Sequence, residues 1–223
     1  MARSPHPPAA SGAALLAGAG GLVGRELAAL WPGPGTLHLL LRRPQAAGAH
    51  QSVQVVDFGA LGALPAAHDA YCCLGTTLKV AGSPAAFRAV DLDAVLAFAR
   101  AAQAAGVRRL AVVSALGADA RSRSLYSRTK GEMEQALRAM GFERLVIARP
   151  SLLTGERQAL GQPARPAEAL ALALTRPLAS WIPLAWRPIA ARTVARALLR
   201  ALAQSEPGVA VLESAQLQAL GQA

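Results

Sequence analysis

The sequence predicts an α/β protein in which helices cover both faces of a doubly wound, parallel sheet. Short apolar runs of strand length alternate with longer stretches whose apolar residues recur at helical spacing. Most of these stretches end at glycine or proline, which marks the turns between them. The chain has 223 residues, of which 53% are hydrophobic and 16% are charged, a composition typical of one globular domain.

Six strands and three helices are predicted before residue 150. The strands are the apolar runs Ala13–Ala17, Thr36–Leu41, Ser52–Val56, Ala70–Leu74, Arg109–Val113 and Arg144–Ala148. The helices have apolar residues three and four positions apart and cover Leu22–Trp31, Pro84–Ala105 and Ser124–Met140. Because parallel strands are joined by right-handed crossovers, this order predicts helices on both faces of the sheet.

The chain divides into three regions that form one domain. Residues 1–11, with three prolines, are predicted to be a flexible tail, and residues 12–150 form the main core. Residues 151–223 are predicted to form a small C-terminal substrate or cap region with a helix, a strand and a last helix at Ile189–Gln204, Val209–Leu212 and Ser214–Leu220. Within this region, residues 163–189 are apolar and interrupted by prolines, so we expect a cap over the substrate pocket; ordinary core or dimer packing is the alternative.

The charge and the cysteines limit the class of protein. The net charge is +10, but the arginines are dispersed and only 4% of the residues are aromatic, so a solvated surface is favoured and nucleic-acid binding is not expected. Cys72 and Cys73 are adjacent, a spacing that fits neither a disulfide framework nor a metal site. Their pattern indicates small buried residues in a reducing compartment, from which we expect a cytoplasmic protein. No transmembrane segment is expected, and the apolar stretch after Arg3 is interpreted as folded chain rather than a signal peptide.

A glycine fingerprint follows the first predicted strand. Gly18 permits a tight turn, Gly21 lets a phosphate approach the backbone, and Gly24 lets the following helix pack closely. The N-terminus of that helix offers unpaired N–H groups and a partial positive charge to a pyrophosphate. The placement of the glycines between a strand and a helix predicts a dinucleotide-binding site of the Rossmann type.

The end of the second strand predicts which dinucleotide is bound. Arg42 and Arg43 stand where a carboxylate would bind the ribose of NAD, and guanidinium groups favour the extra phosphate of NADP instead. Two ordinary surface arginines are the alternative interpretation. Asp57, directly after the third strand, is a candidate acceptor for the adenine amino group.

Tyr126 and Lys130 lie one helical turn apart on one face of a predicted helix. A free tyrosine is a poor acid or base at neutral pH, but a neighbouring ammonium stabilises its phenolate and lowers its pKa. Ser114 follows the fifth strand at the carboxyl edge of the sheet, where its hydroxyl is placed to hold a substrate carbonyl oxygen. We interpret these three residues as a catalytic group.

These residues resemble the short-chain dehydrogenase/reductases. The runs Tyr71–Thr77, Val113–Asp119, Tyr126–Glu132 and Arg149–Gly155 are more narrowly similar to the atypical branch typified by the Tat-interacting protein. The resemblance covers about residues 12–215 and implies Ser114, Tyr126 and Lys130 as the catalytic group. It implies NADP(H) binding through the glycine fingerprint, the two arginines and Leu22, Val23, Leu74, Gly75, Thr76, Thr77, Lys130, Pro150, Ser151 and Leu152.

Two departures from the family leave the substrate open. The asparagine that completes the catalytic group in many members has no clear counterpart, and Asp91 and Asp93 are the nearest polar residues. The C-terminal part is also shorter than the substrate domain of nucleotide-sugar epimerases. The leading hypothesis is an NADPH-dependent oxidoreductase acting on a small carbonyl or alcohol, and a homodimer is compatible with the sequence. The alternatives are an NADP(H)-binding sensor or interaction protein with little turnover, and an enzyme similar to nucleotide-sugar epimerases or dehydratases.

Overall fold

The computed structural model describes residues 12–33, 35–155, 183–204 and 206–222. Within them lie nine strands: β1 (Ala14–Ala17), β2 (Leu37–Leu41), β3 (Gln51–Val55), β4 (Asp69–Cys72), β5 (Arg109–Val113), β6 (Arg144–Arg149), β7 (Leu153–Thr154), β8 (Ile189–Ala190) and β9 (Gly208–Glu213). Seven of them form one parallel sheet in the order β3-β2-β1-β4-β5-β6-β9, and β7 pairs with β8 in a separate two-stranded sheet. The predicted doubly wound parallel fold is confirmed.

Helices cover both faces of the seven-stranded sheet. They are α1 (Leu22–Ala29), α2 (Leu78–Ala81), α3 (Pro84–Arg88), α4 (Ala94–Ala104), α5 (Leu125–Ala139), α6 (Ala191–Ala203) and α7 (Ser214–Gln222), with a π-helical turn at Ala89–Asp93 between α3 and α4. The alternation of side chains along each strand divides the core in two. In β1, Leu16 points into the cluster formed with α1, α6 and α7, and Leu15 points into the cluster formed with α4 and α5.

Three of the predicted elements differ in the structure, and the sequence analysis did not predict α2 or β7. The helix predicted as Pro84–Ala105 contains the π-helical turn, and β4 ends at Cys72, so that Leu74 lies in the following loop. Ile189, predicted as the start of a helix, belongs to β8, because its N–H donates to the carbonyl oxygen of Leu152 at 2.9 Å. The boundaries of the strands β4 and β8 depend on pairing partners that are distant in sequence, so local composition does not reveal them.

The described part of residues 151–223 belongs to the same layers as the rest of the chain. β9 pairs with β6 along its whole length and extends the sheet, while α6 packs against α1 and α7. Most of the predicted cap, residues 163–182, lies outside the described residues; in the remaining part the Trp186 side chain is 67% exposed. No helix in the described ranges combines the length and the apolar character needed to cross a membrane.

Candidate functional site

A cleft opens where the strand order reverses between β1 and β4, which is where ligands bind in sheets of this kind. Its volume is about 920 Å³. The loops that follow β1, β2 and β4 form most of its walls, together with α2, α3, the π-helical turn and the start of α4. The residues predicted for cofactor binding that line it are Gly18, Gly21, Arg42, Arg43, Leu74, Gly75 and Thr76.

The glycine fingerprint forms the turn between β1 and α1. Gly18 has a φ of 85°, and a Cβ there would lie 2.5 Å from the carbonyl carbon of Cys73 at the end of β4. A Cβ on Gly24 would lie 2.2 Å from the carbonyl oxygen of Gly18. These close approaches explain why residues without side chains stand at both positions.

The N-terminus of α1 suits a phosphate group. Gly21 is its N-cap residue and supplies no side chain, so no side-chain oxygen caps the N–H groups of the first turn. The cleft therefore offers backbone donors and the positive end of a helix dipole to an anion. Leu22 and Val23 occupy the first turn, and a Cβ on Gly155 would lie 3.1 Å from Leu22 Cδ2.

Arg42 and Arg43 are exposed on the rim of the cleft. Neither guanidinium has a hydrogen bond or ion pair within the part of the chain that the structure describes. Asp57, the predicted adenine acceptor, is exposed, and its Oδ1 accepts a hydrogen bond from the Gly59 N–H at 2.8 Å. The cleft wall in this region is formed by Phe58, which is buried and which the sequence analysis did not single out.

One face of α5 carries three polar side chains at successive turns: Tyr126, Lys130 and Glu134. The Tyr126 ring packs on the ring of Phe87, with centroids 5.6 Å apart. Burial raises the pKa of Tyr126 above its ordinary value; the Lys130 ammonium opposes this shift, and the Asp91 carboxylate adds to it. The lowered pKa expected from the sequence is wrong, because burial outweighs the effect of the ammonium. Tyr126 is therefore protonated at neutral pH, as a proton donor must be.

Lys130 is held by an acidic partner inside the protein. Its Nζ lies 2.7 Å from Asp91 Oδ1, and both side chains are almost fully buried. The other oxygen of Asp91 accepts a hydrogen bond from the backbone N–H of Thr76 at 2.8 Å. Since Thr76 lines the cleft, this carboxylate connects the predicted catalytic lysine to the cofactor loop.

Ser114 lies directly after β5, as predicted, but its hydroxyl has a protein partner. It donates to Glu134 Oε1 at 2.5 Å, and Glu134 is 3% exposed. Arg149 donates to the same carboxylate from Nε at 3.0 Å and from Nη2 at 2.7 Å, and its third nitrogen binds Glu213 at 2.9 Å. The sequence analysis missed Glu134, although its spacing of four residues from Lys130 places it on the same helical face.

The other predicted cofactor residues have structural partners. Thr77 caps α2 by accepting a hydrogen bond from the Val80 N–H at 3.3 Å. Pro150 accepts a hydrogen bond from Leu116, Ser151 donates to the carbonyl oxygen of Arg187, and Leu152 is 46% exposed. Of the two cysteines, Cys73 lines the cleft, whereas Cys72 lies in the core, where burial raises its pKa to about 12.

Gly131 fixes the position of α5. A Cβ at this residue would lie 2.0 Å from the backbone nitrogen of Ala120 and 2.3 Å from the carbonyl carbon of Asp119. The Asp119 N–H also donates to the Ser127 carbonyl oxygen at 3.0 Å. The helix that carries Tyr126 and Lys130 thus packs directly against the backbone that follows β5.

The chain is similar in sequence to known proteins. Residues 18–173 match the NAD(P)H-binding family. The chain is 36% identical over 176 residues to the protein HTATIP2 of Rattus norvegicus, a match that covers 75% of this chain and 69% of that protein. It is 45% identical over 98 residues to the protein fmp52, mitochondrial, of Emericella nidulans, covering 44% of this chain but only 40% of the relative.

Solved structures show the same fold at low sequence identity. MoeE5 in complex with UDP-glucose and NAD superposes with a TM-score of 0.69 at 19% identity, covering 90% of this chain and 75% of that chain. A short-chain type dehydrogenase/reductase from Mycobacterium ulcerans superposes with a TM-score of 0.66 at 15% identity, covering 93% of this chain and 90% of that one.

The relatives correct one expectation from the sequence. The expected cytoplasmic location is wrong, because fmp52 of Emericella nidulans and related fungal proteins are named mitochondrial. The inference failed because it rested on the two cysteines alone. A chain without a disulfide framework fits a reducing compartment, but this does not tell which reducing compartment it occupies.

The family follows from the match over most of the chain, from the rat relative and from the cleft between β1 and β4. The seven-stranded sheet and the fold shared with the Mycobacterium ulcerans enzyme agree with it. The chain therefore belongs to the NAD(P)H-binding family of Rossmann-fold proteins and, within it, to the atypical short-chain dehydrogenase/reductases.

Proposed function

We propose that the protein is an NADP(H)-dependent oxidoreductase that interconverts a small carbonyl compound and its alcohol. The observation that carries this proposal is the pair Tyr126 and Lys130, one turn apart on α5 and joined to the cleft wall through Asp91 and Thr76. A pure binding module has no need for a buried ammonium beside a tyrosine. An oxidoreductase uses this pair to move a proton at the substrate oxygen.

The protein side chains handle the proton. When bound, the nicotinamide supplies the hydride that reduces the carbonyl carbon. Tyr126 then donates its phenolic proton to the substrate oxygen, and Lys130 stabilises the phenolate that remains. In the oxidation direction the same phenolate accepts the proton of the alcohol.

Ser114 is proposed to orient the substrate oxygen. In the structure its O–H donates to Glu134. To hold a carbonyl oxygen, as the sequence analysis expected, the hydroxyl must turn away from Glu134.

The preference for NADP(H) is proposed from Arg42 and Arg43. Both lie on the cleft rim at the end of β2, where the ribose phosphate of NADP would lie. Both guanidinium groups are without a protein partner in the described residues, so a phosphate can bind them without breaking an ion pair.

The test is a screen of aldehydes and ketones with NADPH and NADH, followed by absorbance of the reduced cofactor. The Tyr126→Phe variant should bind NADPH as the unmodified protein does, and its turnover should fall by about 10²-fold or more, since it loses only the acidic hydroxyl. Tyr71→Phe is the matched control, because Tyr71 packs in the core against Trp31. Full activity of Tyr126→Phe would remove Tyr126 from the mechanism.

A second candidate is a sensor that binds NADP(H) with little turnover. It is favoured by the hydrogen bond from Ser114 to Glu134, which keeps the Ser114 hydroxyl from a substrate carbonyl oxygen. NADPH binding without turnover of any carbonyl in the screen would support it.

A further inference from the structure

Asp91 is a buried carboxylate with partners on two sides. It lies in the π-helical turn Ala89–Asp93, and its side chain is fully buried. Lys130 Nζ lies 2.7 Å from Oδ1, and the Thr76 N–H donates to Oδ2 at 2.8 Å. A buried charge requires partners of this kind, since an unpaired carboxylate in the protein interior is strongly destabilising.

The π-helical turn accounts for the position of this carboxylate. It inserts a wider turn between α3 and α4 and directs Asp91 and Leu92 inward, while Asp93 stays exposed. Wider turns of this kind inside helices are frequent at functional sites. Here the turn delivers a charge to the Lys130 ammonium from an element other than α5.

The cofactor loop lies directly against the ion pair. A Cβ on Gly75 would lie 3.4 Å from Asp91 Oδ1 and 3.6 Å from Lys130 Nζ, so no side chain separates the loop backbone from the two charges. Gly75 and Thr76 line the cleft. The cleft wall, the carboxylate and the ammonium therefore form one packed unit.

We propose that Asp91 is a positioning residue that ties Lys130 to the loop Leu74–Thr77 and sets the charge that Lys130 presents to Tyr126. The proposal rests on the proposed function, in which Tyr126 and Lys130 move the proton. Asp91 touches neither Tyr126 in a hydrogen bond nor the reacting atoms, and it acts through Lys130.

The charged groups around Tyr126 determine how Asp91 affects the pKa of this tyrosine. Lys130 on α5 favours the phenolate, and Asp91 on the π-helical turn opposes it. From α3, Phe87 contributes an apolar ring, and Arg88 is neutralised by Glu132 of α5 at 2.6 Å. Replacing Asp91 by a neutral residue leaves the ammonium unopposed, so the pKa of Tyr126 falls.

The test is a titration of tyrosinate absorbance in the full chain with Asp91→Asn. The chain has two tyrosines, and burial also raises the pKa of Tyr71, so a Tyr126→Phe blank assigns the signal to Tyr126. Asp91→Asn keeps an oxygen for the Thr76 N–H and removes the charge. We expect its curve to move to lower pH by roughly one unit or more.

The matched control is Asp93→Asn, a change of the same charge in the same turn at an exposed position. Its curve should superpose on that of the unmodified protein. The pH range is limited to that in which far-ultraviolet circular dichroism stays native, so that unfolding does not shift the curve. An unmoved curve for Asp91→Asn, or an equal shift for Asp93→Asn, overturns the proposal.

A double-variant cycle tests the ion pair without any titration. Lys130→Met leaves the Asp91 carboxylate buried without a counter-charge, so adding Asp91→Asn should raise the unfolding temperature above that of Lys130→Met alone. If the losses in unfolding temperature of the two single variants simply add in the double variant, the proposal is overturned. Neither readout depends on turnover, so these results stand apart from those of the carbonyl screen.

Discussion

Glu134 allows the sharpest stability prediction. Its carboxylate is buried and accepts hydrogen bonds from Ser114 and from two nitrogens of Arg149. Removing one partner of a buried ion pair lowers the free energy of unfolding by about 3–5 kcal/mol. In Glu134→Gln the amide oxygen retains one acceptor site, and Arg149 keeps its ion pair with Glu213 at 2.9 Å. We therefore expect a loss of about 2–3 kcal/mol in the free energy of unfolding.

The assay is thermal and denaturant unfolding beside the control Glu132→Gln. A loss of this size lowers the melting temperature by about 4–12 °C for a chain of this length. Glu132 lies on the same helix and pairs with Arg88, but those side chains are 32% and 39% exposed, so its replacement should cost under about 1 kcal/mol. Equal stability of the two variants would refute the assigned role of the Glu134 network.

Three further predictions concern the cofactor, the pH dependence and the cap. Replacing both Arg42 and Arg43 by alanine should weaken NADPH binding by about 10-fold or more and leave NADH binding unchanged, because one or two charge-assisted bonds to the phosphate are lost. Calorimetric titration of both cofactors measures this, and an equal loss of affinity for NADPH and NADH would contradict the prediction. Since the pKa of Tyr126 is raised and the proton donor must be protonated, carbonyl reduction should persist through neutral pH and decline only in the alkaline range; a decline below neutral pH would exclude Tyr126 as the donor. If residues 163–189 form the predicted cap, NADPH with a carbonyl ligand should protect them in limited proteolysis, and unchanged cleavage would favour core or dimer packing.

The strands and the cleft were predictable because they follow from local patterns. Most strands of the main sheet up to β6 are short apolar runs, and the strand-to-helix position of Gly18–Gly24 is visible in the sequence. The adjacent cysteines also behave as strand alternation requires: Cys72 lies in the cluster beside α4 and α5, and Cys73 packs on the opposite one.

The polar network was not predictable to the same degree. Ala89–Asp93 lies inside a stretch whose pattern predicts one continuous helix, so nothing local indicates that a π-helical turn directs Asp91 towards Lys130. Ion pairs between distant elements depend on how the helices dock on the sheet. Glu134 is different, since counting four residues from Lys130 along α5 would have identified it.

The close contact of Gly131 on α5 with the backbone of Asp119 and Ala120 affects how mutational data on this protein should be interpreted. Even the methyl group of alanine at Gly131 would overlap the backbone of Ala120, and the helix has no flexible side chain there that can move aside. A substitution would displace Tyr126, Lys130 and Glu134 together. In a saturation screen scored by activity, Gly131 would therefore behave like a catalytic residue although it has no functional group. Abundance must be measured beside activity to separate the two kinds of position on this helix.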